Sequence, residues 1–167
     1  MTPAQLLALR NDINADPVLG GLPVNQDQSL IIAAAYNQLV IPDYWVWKTK
    51  LTEQEIYEAT SSDDTVWSWT TYINQTAREA DAWGRMFASG RINPSLPQVQ
   101  DAYSRIFSGS TQAVQAQRAH LLAISRRLAT RIEKLLRTSG AGTTADPAEL
   151  GFEGNLNAHD VDLARAN

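Results

Sequence analysis

The sequence predicts a mainly α fold: a helical bundle with one long helix in its C-terminal half, at most a minor strand pair, and an extended C-terminal tail. Three observations predict it. Residues 110–138 contain neither proline nor glycine and place Val114, Leu121, Leu128 and Leu135 seven apart, the period of a buried helical seam. Thr2 and Thr52 each stand three residues before a Gln or Glu, the capping-box signature of a helix start. Strand-like alternation shows in two short W-x-W pairs, in "DYWVWKTK" at 43–50 and "TVWSWTTY" at 65–72, and amounts to at most a minor strand pair.

Taken in order, the first helix opens at Thr2, with Pro3 at the first helical position and Gln5 closing the box. Leu6, Leu9 and Ile13 form its apolar stripe, with Leu7 beside it. Asp16-Pro17 and Gly20-Gly21 stop it and leave an ordered loop. Residues 26–39 predict a second, largely buried helix, and Pro42 bars its continuation. Thr52 and Glu55 start a short helix over 52–59, after which "SSDDT" turns the chain. A longer helix is expected within 69–88, with Ala80, Trp83 and Phe87 on one side, and Gly90 and "NPSLP" end it. Pro97 sits early in the next helix, 96–107, whose apolar side holds Val99, Ala102, Tyr103, Ile106 and Phe107.

Ser110 or Thr111 then caps the long helix and Gly140 ends it, with Ser125 and Ile132 between the heptad positions. About 28 helical residues would reach about 42 Å at 1.5 Å each. Residues 1–138 thus read as one helical domain. Residues 139–167 read as a small-residue linker, "SGAGTTADP", and a tail with a possible short extended piece and a capped helical turn from Asn157. The tail has too few apolar residues for a core of its own.

The chain of 167 residues fits one domain and can bury a sizeable core without staples. It has no cysteine, which excludes disulfides and thiolate metal sites. A formal charge of −4 argues against a general nucleic-acid binder. No apolar run approaches the roughly 20 residues that span a bilayer, and "MTPAQLLALRNDINAD" lacks the character of a signal peptide. A soluble, cytoplasmic product is expected. The charge is unevenly placed. Residues 1–109 carry seven basic and twelve acidic residues, a net −5, and residues 110–138 carry six basic and one acidic, a net +5. Residues 139–167 carry one basic and five acidic, a net −4.

Catalytic chemistry finds little footing. The histidines, His120 and His159, lie inside the long helix and in the tail, and no phosphate loop, H-E-x-x-H or G-x-S-x-G occurs. Asp63-Asp64 beside a turn reads as solvated acid, and His159, Asp160 and Asp162 read as helix capping rather than a cation site. On the expected helix Arg127, Arg131 and Lys134 fall at i, i+4 and i+7, with Arg126 and Arg137 nearby. This stripe, about 15 Å long, reads as a solvated face, as a surface for acidic protein partners including sister subunits, or as a phosphate track. Within each Trp pair, Trp45 with Trp47 and Trp67 with Trp69, the rings share one face if the backbone is extended. They read as core or lid, as a protein–protein interface, or as a sugar or cation cage.

Four segments carry a resemblance: "IAAAYNQLVIPDYWVWKT", "DTVWSWTTYINQT", "QRAHLLAISRRLATRIEKLL" and "FEGNLNAHDV", in that order from residue 32 to 161. With them the chain resembles the head–tail adaptors of tailed bacteriophages, also called connector or head-completion proteins. The resemblance implies a structural virion protein, assembled in the host cytoplasm and placed at the head–tail junction. It implies a homo-oligomeric ring, commonly a dodecamer, that sits beneath the portal protein, extends the DNA channel and docks a tail or nozzle protein. DNA would only pass through, no membrane would be involved, and no catalytic residue, cofactor or metal ligand is implied. The expected subunit or partner interface comprises Trp45, Trp47, Trp67, Trp69, Arg126, Arg127, Arg131 and Lys134. Phe152, Leu156 and Val161 join them in a C-terminal segment that reaches along the portal. The alternative is a small helical regulatory or nucleic-acid-binding protein that uses the basic 118–137 helix.

Overall fold

Side-chain caps set most helix starts in the computed structural model, which describes residues 1–166. Thr2 and Gln5 close a capping box at the start of α1 (Pro3–Ala15), and Asn25 caps α2 (Gln26–Tyr36), which ends short of residue 39. The chain then extends through β1 (Trp45–Trp47), and the Thr52–Glu55 box starts α3 (Glu53–Glu58). Helices α4 (Trp69–Ile73), α5 (Ala77–Met86), α6 (Pro97–Ile106) and α7 (Gln112–Ile124) follow. After them come β2 (Arg126–Leu128), α8 (Arg131–Leu135), β3 (Arg137–Ser139), β4 (Glu149–Leu150) and α9 (Ala158–Ala166). The chain is helix-rich, as predicted, and its strands form two small two-stranded sheets, of which β3–β4 is antiparallel.

Three expectations are corrected. The 110–138 segment is not one helix: it is α7, β2, α8 and β3 in succession. Ser125 ends α7, its hydroxyl bonded to Tyr103 Oη at 3.1 Å and its carbonyl accepting the Lys48 amide at 2.8 Å. Thr130 and Glu133 then form a new capping box. Backbone partners outside the segment therefore outweigh its heptad spacing. The helix expected within 69–88 is likewise two, because Thr76 and Glu79 form a box that starts α5 afresh.

The third correction concerns the tail, and with it the boundary at 138. Two compact units divide the described chain: Met1–Val46 joined by residues 128–166, and Trp47–Arg127. In the first unit Leu9 and Ile13 of α1, Ile32 and Tyr36 of α2, and Ile132 of α8 bury against Leu156, Val161 and Ala164. The Asn37 side chain clasps Leu156 at both backbone atoms, donating to its carbonyl at 2.9 Å and accepting its amide at 2.7 Å. Residues 140–147 are an ordered turn rather than a linker: the Asp146 carboxylate accepts the Ala141 amide at 2.8 Å, and β4 returns along β3. The tail needs no core of its own because it completes that of α1 and α2. In the second unit the core runs from Leu51 and Ile56 through Trp67, Trp83, Phe87 and Phe107 to Leu121 and Ile124.

Candidate interaction surfaces

In the first unit the Tyr36 hydroxyl donates to Asp12 at 2.5 Å while Arg131, entering from α8, donates to Asp12 and Asp16, both at 2.9 Å. The Arg131 guanidinium also lies 4.3 Å above the Tyr36 ring. Burial works against the Arg131 charge, but the bonds to Asp12 and Asp16 outweigh it and raise its pKa. The Tyr36 phenol is pushed up by burial and by its bond to Asp12. Asp12 and Asp16 stand four apart on or just past α1, which brings both carboxylates to one guanidinium.

Asp16 is held below its ordinary 3.8 by the Leu19 amide first, then by Arg131 and the Val18 amide. Glu55 and Glu79 are held below 4.5, chiefly by the Thr52 and Thr76 amides of their capping boxes. A carboxyl with a depressed folded pKa stabilises above its unfolded pKa, and that contribution is lost as pH falls through the folded value. Stability in urea titrations should therefore be flat from roughly pH 7 to 5 and fall below roughly pH 4. Asp16→Asn should flatten the acid limb, and an unchanged limb would count against the Asp16 contribution.

Beside this cluster a groove of about 440 Å³ opens between residues 38–41 and α8. Leu39, Val40, Ile41 and Leu135 supply its apolar walls, and Lys134 and Arg137 its cationic rim. Ile41 is 93% exposed. Lys134 Nζ lies 5.1 Å, and the Arg137 guanidinium 5.9 Å, from the centre of the Tyr44 ring. Gly142 makes that seating possible: at φ +76, a Cβ there would sit 2.0 Å from the ring.

The second unit presents an aromatic cluster. Trp83 is fully buried at its centre, 5.3 Å from Trp67, 5.0 Å from Phe87 and 5.7 Å from Phe107 by ring centroids. Its indole N–H donates to Glu53 Oε1 at 3.0 Å and Tyr57 Oη at 2.9 Å. Trp69 packs 4.6 Å from Tyr57 yet remains 52% exposed, one turn of α4 from Ile73, which is 73% exposed. Val66, just before α4, is exposed too.

The expected interface residues are thus sorted. Trp45 and Trp47 flank the buried Val46 on extended backbone, so both share the half-buried face. Trp67 is core, and Trp69 faces outward. Leu156 and Val161 are buried in their own unit and Phe152 packs half-buried against that core, which removes all three from a free tail. The cationic stripe does not form. Arg126 and Arg127 lie on β2, where Arg126 donates to both Asp63 oxygens at 2.5 Å; Arg131 starts α8, and Arg137 begins β3. Lys134 remains at the groove. Sequence reasoning missed Leu39, Ile41, Asp12, Asp16 and Tyr36; the i, i+4 spacing of the two aspartates was the available signal.

Among the described residues no group of three His, Cys, Asp or Glu side chains is placed to hold a metal ion. No helix among them is long and apolar enough to cross a membrane. Compared with family models, with curated proteins and with solved structures, the chain matches none.

Proposed function

We propose that the chain is a head–tail adaptor: a structural virion protein whose copies form a ring beneath a portal, extend the DNA channel and dock a tail or nozzle protein. The observation that carries this reading is apolar surface left open on both units. Trp69 and Ile73 stand exposed one turn apart on one, with Val66 exposed just before their helix, and Leu30, Ile31, Leu39 and Ile41 stand exposed on the other. Proteins that work alone keep contiguous apolar patches small, and larger ones mark interaction sites. Val66, Trp69, Ile73, Leu39 and Ile41 also lie inside the segments that carry the resemblance. The reading assigns no catalytic residue or cofactor, and takes DNA as passing through an acidic ring without base readout.

The rival reading, a small helical regulatory or nucleic-acid-binding protein using the basic 118–137 helix, is the less favoured. That helix is interrupted by β2, and Arg126 and Arg131 already hold carboxylates. Electron microscopy of the protein mixed with candidate portal rings tests the proposal. An added ring of density below the portal, with the portal's rotational symmetry, is expected. Portal particles unchanged in excess protein, across the portals tried, would overturn it.

A further inference from the structure

The groove of the first unit is chemically incomplete. Leu39, Val40, Ile41 and Leu135 line it beside Gln38 and Arg131, and its one carboxylate, Asp12, is taken by Arg131 and Tyr36. At its rim Lys134 and Arg137 have no carboxylate partner among the described residues and rest on the Tyr44 ring. The complementary chemistry occurs elsewhere on the same chain. Asp27, Leu30 and Ile31 are exposed on α2, and their i, i+3 and i+4 spacing sets them on one helix face. The Asp27 carboxylate has no hydrogen bond or ion pair among the described residues. A place in the first turn of α2 suits Asp27, but it does not account for two bulky aliphatic side chains left open beside it.

We infer that the groove of one copy receives the Asp27–Leu30–Ile31 face of a second copy, the two aliphatic side chains against Leu39, Ile41 and Leu135 and the carboxylate against Lys134 and Arg137. The choice of a second copy rests on the ring reading above, which this contact deepens. A copy cannot fill its own groove, since eight residues of helix, about 12 Å, separate Asp27 from Ala35 at the groove wall. The contact joins two different patches, so it repeats head to tail and yields a closed ring or an open filament. Its few residues fall well short of the roughly 20–30 per side of a standard interface. Self-association is therefore concentration-dependent.

The test is sedimentation velocity on the full chain, in low salt and at about 1 M salt, where the screening length is about 3 Å. The wild-type chain associates with rising concentration, and less so at high salt. Asp27→Lys and the double variant Lys134→Glu/Arg137→Glu, each folded by circular dichroism, should each weaken association by about tenfold. An equimolar mixture of the two recovers it, because each variant's altered patch then meets an opposite charge. Undiminished association of either variant, or no recovery on mixing, would overturn the contact while leaving portal docking to stand on its own microscopy. A wild-type chain that stays monomeric throughout would also overturn it, since a groove reserved for another acidic partner behaves in that way.

Discussion

Removing the chain from Asn157 onward is expected to unfold the first unit while the second keeps its structure. Val161 and Ala164 are fully buried against α1 and α2. Asp162 accepts from the buried Ser29 hydroxyl at 2.5 Å, and Arg165 donates to the Leu22 and Pro23 carbonyls. Fully burying a side chain such as valine contributes about 1.5–3 kcal/mol, and the deletion opens the facing side of the α1–α2 core as well. Whole domains hold only about 5–15 kcal/mol in reserve. A point variant makes the same case with less disruption. Val161→Asp places an unpaired charge in a site with no exposed surface and should cost about 4 kcal/mol or more. His159→Asp, on the exposed side of the same helix, should stay within about 0.5 kcal/mol. Urea unfolding followed by circular dichroism separates the two, and amide exchange should show α9 protected in the intact chain. Fast exchange in α9, with Val161→Asp as stable as His159→Asp, would restore the detached tail.

What the sequence made legible is what short-range chemistry decides. Thr2 with Gln5, Thr52 with Glu55, and Asn157 ahead of α9 each announce a helix start through a side chain that reaches a backbone amide three residues on. Those starts stand where the sequence placed them. Thr76–Glu79 and Thr130–Glu133 carry the same signal. They lie inside runs whose apolar periodicity suggests continuation. Periodicity reports which faces are buried, not whether the backbone between them stays helical. Leu121 and Leu128 keep a heptad spacing while belonging to different units.

The interaction surfaces were less legible for a related reason. A charge stripe read from sequence assumes that the charges are unclaimed. Arg131 finds Asp12 and Asp16, more than 110 residues away in the chain. Arg126 finds Asp63. Part of the opposition between basic and acidic blocks is therefore satisfied within one copy, and Lys134 and Arg137 are what the groove has left for a partner. Tail burial was hidden in the same way. Leu156, Val161 and Ala164 look too few for a core because the other half of that core comes from the first 36 residues.

The tryptophans give the sharpest contrast in expected effect. Trp83→Ala should be among the most destabilising single changes in the second unit, at about 3–5 kcal/mol. At about 2–4 °C per kcal/mol for a chain of this size, Tm should fall by roughly 10 °C. The cost has two sources. The ring fills the centre of a cluster with Trp67, Phe87 and Phe107, whose edges and faces meet it within 6 Å, and alanine leaves a cavity there. The indole N–H also bridges Glu53 and Tyr57. Trp83→Phe keeps most of the volume but loses that donor. Tyr57 still donates to Glu53, so neither is left unpaired, and the cost should be only about 1 kcal/mol. Trp69→Ala should cost clearly less, about 1–2 kcal/mol, because half of the ring is already in water. If Trp69 contributes to a partner surface, its loss should instead weaken assembly on a portal. Thermal unfolding of the three variants, beside portal microscopy of Trp69→Ala, separates a folding role from an assembly role. Equal destabilisation by Trp83→Ala and Trp69→Ala would mean that both rings are core, and would leave the second unit without its aromatic docking patch.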